Sequence, residues 1–190
     1  LIHPYYPLFW VDFDHLKELI SEEIPFVLID RVVDEILCDK VIIDDVGGGY
    51  KATKYLLDNG NKRIALITTP NHVSVGALRR QGYEKALIES YIKTDNNLII
   101  EIDENKDIEE QIKSILHYDI DAIFAVNEIY AAKAMRVARM NGIKIPEDIS
   151  IIGFTDGLIS EYSYPSMTVV AQHGFEMGKQ SVHLLIEKIE

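Results

Sequence analysis

Short, continuous apolar runs alternate along this chain with longer segments whose apolar positions recur every three or four residues. The runs lie at 25–29, 41–43, 64–68, 98–102, 122–126, 149–154 and 168–170. Turn residues bound them, which is the pattern of strands buried on both faces. Between them, helical periodicity predicts helices over 14–21 (Leu16, Leu19 and Ile20 inward), 48–59 (Ala52, Tyr55 and Leu56), 74–90, 107–117 and 174–189. Asn59-Gly60 and Asn141-Gly142 are helix stops. His3-Pro4-Tyr5-Tyr6-Pro7 bars a helix near the start, so 1–11 is read as irregular. Strands alternating with helices of this length predict an α/β fold with parallel sheets. Pattern alone allows one open sheet of about eight strands or two smaller sheets.

The stretch from 122 to 154 is the most informative. Its first strand ends at Asn127-Glu128, and an Ala-rich helix follows with Ile129, Ala132, Met135 and Ala138 on one side. A second strand then runs out at Thr155-Asp156-Gly157. Strand, crossover helix and strand make a βαβ unit, so the two strands run parallel and their carboxyl ends face one crevice. Small molecules bind at such ends. Asn127, Thr155 and Asp156 are expected to project there together.

Charge and composition narrow the chemistry. The formal net charge is -12 over 190 residues, and such a surface repels phosphate backbones. This chain by itself is not expected to bind nucleic acid. Phe9-Trp10-Val11 is too short an apolar run to span a bilayer, and no signal-peptide pattern precedes it. The single cysteine, Cys38, excludes an internal disulfide and suits a reducing compartment, so a cytoplasmic location is expected. Six scattered histidines with no i, i+4 pair give no metal site. No G-x-S-x-G elbow supplies a nucleophile, and no G-x-x-x-x-G-K-[ST] loop occurs. The run Gly47-Gly48-Gly49-Tyr50-Lys51-Ala52 fits G-x-G-x-x-A. The next strand ends in Thr68-Thr69, with no acid to hold a ribose, so the run is read as a tight strand-to-helix turn. The expectation is a binding protein without cofactor, not an enzyme.

Several motifs together resemble the effector-binding region of bacterial repressors of the lactose and galactose repressor family. They are Ile24-Pro25-Phe26-Val27-Leu28-Ile29-Asp30-Arg31; the segment from Tyr55-Leu56 through Asn59-Gly60 to Arg63-Ile64-Ala65; and Arg79-Arg80-Gln81-Gly82-Tyr83. Ile145-Pro146-Glu147-Asp148-Ile149-Ser150 running to Gly153-Phe154, and Pro165-Ser166-Met167-Thr168 with Gln172, complete the likeness. The resemblance implies two doubly wound parallel-sheet subdomains of the periplasmic binding protein-like type. One would comprise 1–60 with 173–190 and be truncated at its N-terminal part; the other would comprise 61–172. It also implies a sugar or sugar-derivative effector in the cleft between subdomains, a homodimer, and operator DNA bound only through an N-terminal headpiece that these residues do not include.

The same resemblance nominates the ligand-binding residues. Arg79 stands where the family's arginine reaches the effector, and a planar donor fork suits vicinal hydroxyls or a carboxylate. Asn127 offers a donor and an acceptor to a hydroxyl, and also reads as a cap on the next helix. Gln172 reads as a ligand contact or as a residue at a subdomain crossing. Asp44 matches a family acid at the cleft, and equally reads as the cap of the helix at Gly48. Thr155 is a departure, because the family has aspartate there; Asp156 follows one residue later, on the alternate side of a strand. That points to an unusual effector. His72, beside Asn71 on a loop at a strand's carboxyl end, reads as a ligand contact or a solvated loop residue. Two rival readings remain: a periplasmic sugar-binding protein of a transporter, and a Rossmann-type nucleotide-dependent enzyme using the Gly47 run.

Overall fold

A computed structural model describes residues 13–31, 33, 35–70 and 73–189. The irregular segment read over 1–11 and the Asn71-His72 pair lie outside the described residues. The chain forms two compact units: Ile43–Gly174, and Leu1–Ile42 together with Phe175–Glu190.

The larger unit is built on a five-stranded parallel sheet. Its strands are β3 (Ile64–Thr68), β4 (Ile99–Glu101), β5 (Ala122–Ala125), β6 (Ser150–Phe154) and β7 (Thr168–Val170), in the order β4-β3-β5-β6-β7. Every residue of β3 and β5 is buried, as continuous apolar strands covered on both faces must be. The helices are α2 (Asp45–Asp58), α3 (Ser74–Glu89), α4 (Ile108–Ile115), α5 (Glu128–Met140) and the short α6 (Leu158–Tyr162). They associate as pairs, α2 against α3 and α4 against α5, the doubly wound arrangement. Chain direction across the sheet reverses between β3 and β5: β4 follows β3 on one side, and β5, β6 and β7 continue on the other. The carboxyl ends of β3 and β5 therefore flank the switch-point crevice. Tyr83 fastens α3 to the sheet by donating its hydroxyl to the Ile64 carbonyl at 2.8 Å, and burial holds its phenol well above the usual tyrosine range.

The smaller unit comprises α1 (Asp14–Ser21), β1 (Val27–Ile29), β2 (Asp39–Val41) and most of α7 (Gly174–Ile189). β1 and β2 pair in parallel with Val27 opposite Asp39, and all six strand residues are only half-buried. The two-sheet alternative is thus the one realised among the described residues.

Several expectations need correction. The strand expected at 41–43 forms two residues earlier, and α6 was not expected at all. Gly47, Gly48 and Gly49 do not form a turn, since α2 begins at Asp45 and contains all three. Their role is tertiary. A methyl on Gly49 would sit 2.2 Å from the Arg79 carbonyl oxygen, and one on Gly82 would sit 2.1 Å from the Val46 carbonyl oxygen. Glycines on both helices let the α2 and α3 backbones touch. That contact draws α2 into the larger unit, so the division falls at Ile42/Ile43 and not at residue 60.

Candidate functional site

Arg79 lies one turn into α3 and turns its side chain inward, where it is 3% exposed. A buried guanidinium needs partners for its donors. Its Nε donates to Asp45 Oδ1 at 2.8 Å, and its Nη1 donates to the Val126 carbonyl at 2.6 Å, just beyond β5. Its plane lies over the Phe154 ring, with the guanidinium carbon 3.7 Å from the centroid. The Phe154 ring is admitted by Gly48, where a methyl would come within 2.5 Å of Cζ. Gln172 is a further member of the shell. With its amide oriented to satisfy both partners, its oxygen accepts from Nη2 at 2.9 Å and Nη1 at 3.2 Å.

Four separate elements thus converge on one cation: the first turn of α2, the end of β5, the end of β6 and the segment after β7. Asp45 and Phe154 were not singled out from the sequence. Asp45 stands 34 residues from Arg79, and only its neighbour Asp44 matched a family acid. The one available signal was the doubled Asp44-Asp45 after a strand, which puts one carboxylate outward and one inward.

The other predicted residues have local partners. Asn127 is the N-cap of α5; its Oδ1 accepts from the Tyr130 amide at 2.8 Å, while its Nδ2 has no partner among the described residues. Asp44 is exposed and caps α2 by accepting from the Gly47 amide at 2.7 Å. Thr155 is buried, and its hydroxyl accepts from the Gly157 amide at 2.6 Å. Asp156 is exposed and accepts from the backbone amides of Gln172 and Gly174, each at 2.7 Å. The Thr155/Asp156 pair therefore divides its work: the threonine closes a turn and the carboxylate holds the segment after β7. Glu128, beside Gly157 at the head of α5, keeps one buried carboxylate oxygen with no partner among the described residues. His72 lies outside the described residues. A groove of about 490 Å³ runs along α5 past Met135, Arg139, Met140 and Tyr164, and none of the predicted ligand residues lines it.

Among the described residues no group of three or more His, Cys, Asp or Glu side chains is placed to hold a metal ion. A guanidinium locked by an aspartate is a poor nucleophile, acid or base. Of the predicted residues, hydrogen bonds bring together Arg79, Gln172 and Asp156: the Gln172 side chain lies over the guanidinium and its backbone amide donates to Asp156.

Known proteins bear on this geometry. Residues 53–190 match the periplasmic binding protein-like domain family. The transcriptional regulator DegA of Bacillus subtilis is 38% identical over 169 residues, covering 87% of this chain and 50% of DegA. CelR of Thermobifida fusca is 34% identical over 182 residues, covering 93% and 54%. The chain spans about half the length of these relatives. Among solved structures, a complex of CelR with cellobiose superposes with a TM-score of 0.82 at 32% identity, over 90% of this chain and 54% of that one. A LacI-family regulator from Enterococcus faecium with bound ribose gives 0.84 at 31%, over 94% and 68%.

Proposed function

The chain belongs to the periplasmic binding protein-like family, in the form of the effector-binding domain of LacI/GalR-family regulators, and from that premise we propose that it senses a small sugar for a transcriptional regulator. One observation carries the proposal: the shell of Asp45, Val126, Phe154 and Gln172 around Arg79, at the switch point of the five-stranded sheet. Arg79 is covered, so a ligand reaches its donor fork by taking the place of the Gln172 amide. A sugar hydroxyl suits that exchange because it accepts from the guanidinium and donates onward. Asn127 offers its Nδ2, which has no partner among the described residues, Asp44 and Asp156 offer carboxylate acceptors, and Thr155 and His72 complete the proposed set. Relatives crystallised with cellobiose and ribose support the sugar class.

The protein acts by binding and not by catalysis. An effector with different affinity for two states shifts their populations, and so shifts DNA binding by a headpiece linked to this domain. The regulator works as a homodimer in the cytoplasm. The outward face of α5 and α6, where Met140 is 71% and Tyr162 80% exposed, supports a second copy as its cover. No helix among the described residues is long and apolar enough to cross a membrane. The relatives are regulators, which favours this reading over a transport protein or a nucleotide-dependent enzyme.

Titration calorimetry of the intact chain against a panel of mono- and disaccharides tests the proposal. At least one member binds. Arg79→Lys, which keeps a cation beside Asp45 but loses the fork, weakens that binding at least ~10-fold while the circular dichroism spectrum is preserved. A folded Arg79→Lys protein with unchanged affinity would overturn the site.

A further inference from the structure

The charge balance of the crevice says something about the ligand that the sugar class alone does not. Apart from Arg79, which reaches in from α3, no Arg or Lys among the described residues lies at the ends of β3, β5, β6 and β7 or at the head of α2. Arg79 is not an open cation. Its Nε is held by Asp45 at 2.8 Å, and both side chains are 3% exposed. The same region carries Asp44, Glu128 and Asp156. Asp44 and Asp156 already accept backbone amides, and Glu128 keeps one buried oxygen without a partner among the described residues. Among the described residues of these segments His173 is the only other basic side chain, and it is exposed.

An anionic group brought to Arg79 therefore meets a guanidinium whose charge is already matched, with a carboxylate at hydrogen-bond distance on its far side. Three further carboxylates lie on the neighbouring segments. Asp45 is buried, so its repulsion of an anion acts at low effective dielectric, where salt screens poorly, whereas the exposed Asp44 and Asp156 add only a screened contribution. A neutral hydroxyl meets no such opposition. It accepts from the Nη1/Nη2 edge of the guanidinium in place of Gln172 and donates to a carboxylate acceptor.

Resting on the sugar-sensing reading above, we infer that Asp45 sets the charge class of the effector: by closing an ion pair on Arg79 it makes the site select an uncharged polyol over its phosphorylated or carboxylated counterpart. Asp45 is thus a specificity residue that acts through Arg79 without touching the ligand itself.

The test uses matched pairs on the intact chain: ribose against ribose 5-phosphate, glucose against glucose 6-phosphate, and cellobiose against cellobionate. In each pair that binds, the neutral member binds at least ~10-fold tighter. The preference persists in ~1 M NaCl, where the Debye length is only ~3 Å and the field of the net charge of -12 is screened out. Asp45→Asn, whose amide oxygen still accepts from Arg79 Nε, narrows the ratio to less than ~3-fold. Equal or tighter binding of the anionic members overturns this inference and leaves the sugar reading standing. A preference that vanishes in high salt also overturns it, because the protein's overall charge then accounts for the discrimination; this arm decides the matter on the unmodified chain even if Asp45→Asn does not fold. Silence from both members of every pair overturns the sugar reading and this inference with it.

Discussion

The two units of this chain use the same elements to different effect. In the larger, Ile64 to Ile67 of β3 and all of β5 are no more than 1% exposed, and Tyr83, Phe124, Tyr130 and Phe154 are fully enclosed. In the smaller, no strand residue is fully buried, and α7 leaves Phe175, Val182, Ile186 and Ile189 between 49% and 83% exposed. A parallel sheet gains its stability when helices cover both faces, and a two-stranded pair is marginal by itself. The larger unit can therefore hold a buried charged cluster in fixed geometry, which a site needs. Among its described residues the smaller unit shows no comparable apolar enclosure of its strands.

Side-chain truncation separates the two most sharply. Phe124→Ala empties the centre of β5 and costs ~3–5 kcal/mol in urea denaturation. Leu28→Ala, on half-buried β1, costs only about 1 kcal/mol. Equal losses would mean that the smaller unit contributes as much to the cooperative core as the larger, and the contrast would fail.

Glycine replacements give effects of opposite sign. Gly82→Ala places a methyl 2.1 Å from one α2 backbone atom and 2.5 Å from another, and neither can swing aside. It costs ~2–3 kcal/mol by driving the helices apart. Gly178→Ala on α7 meets nothing within 4 Å and stabilises by ~0.5–1 kcal/mol through helix propensity alone. Thermal denaturation of the two variants checks the signs. A destabilised Gly178→Ala protein would show that the α7 surface is more tightly engaged than its exposure indicates.

These contrasts also explain what the sequence made legible. The strands at 64–68, 122–125 and 150–154 stood out because burial on both faces leaves no polar position to interrupt the run. Asn127 was readable as a cap because capping is local chemistry between residues three apart. The start of α2 was not readable. Three glycines in succession argue against a helix on propensity, and only contact with α3, some 30 residues later, overrides that. The Asp45–Arg79 pair was hidden for the same reason, because which of two adjacent aspartates turns inward is decided by the fold. Short-range grammar was legible, whereas the partners that close the site are long-range.

The smallest expected effect reads the smaller unit directly. Cys38 is the chain's only cysteine and belongs to that unit, so its alkylation reports local opening there and nowhere else. Burial pushes its thiol up from the ordinary value, more than nearby Lys40 pulls it down. Alkylation proceeds through the thiolate, so at pH 8 native Cys38 should react with iodoacetamide more slowly than a free thiol. The sign follows from the raised value: the native thiol is less ionised than the unfolded one, so unfolding speeds the reaction, and a stability contribution present below the unfolded value is lost as pH rises through the folded one. If the smaller unit opens independently, the rate rises to that of a free thiol at urea concentrations below those that abolish the far-ultraviolet circular dichroism of the larger unit. If alkylation and dichroism change together over one transition, the two units unfold as a single cooperative body, and their difference in burial does not translate into a difference in stability.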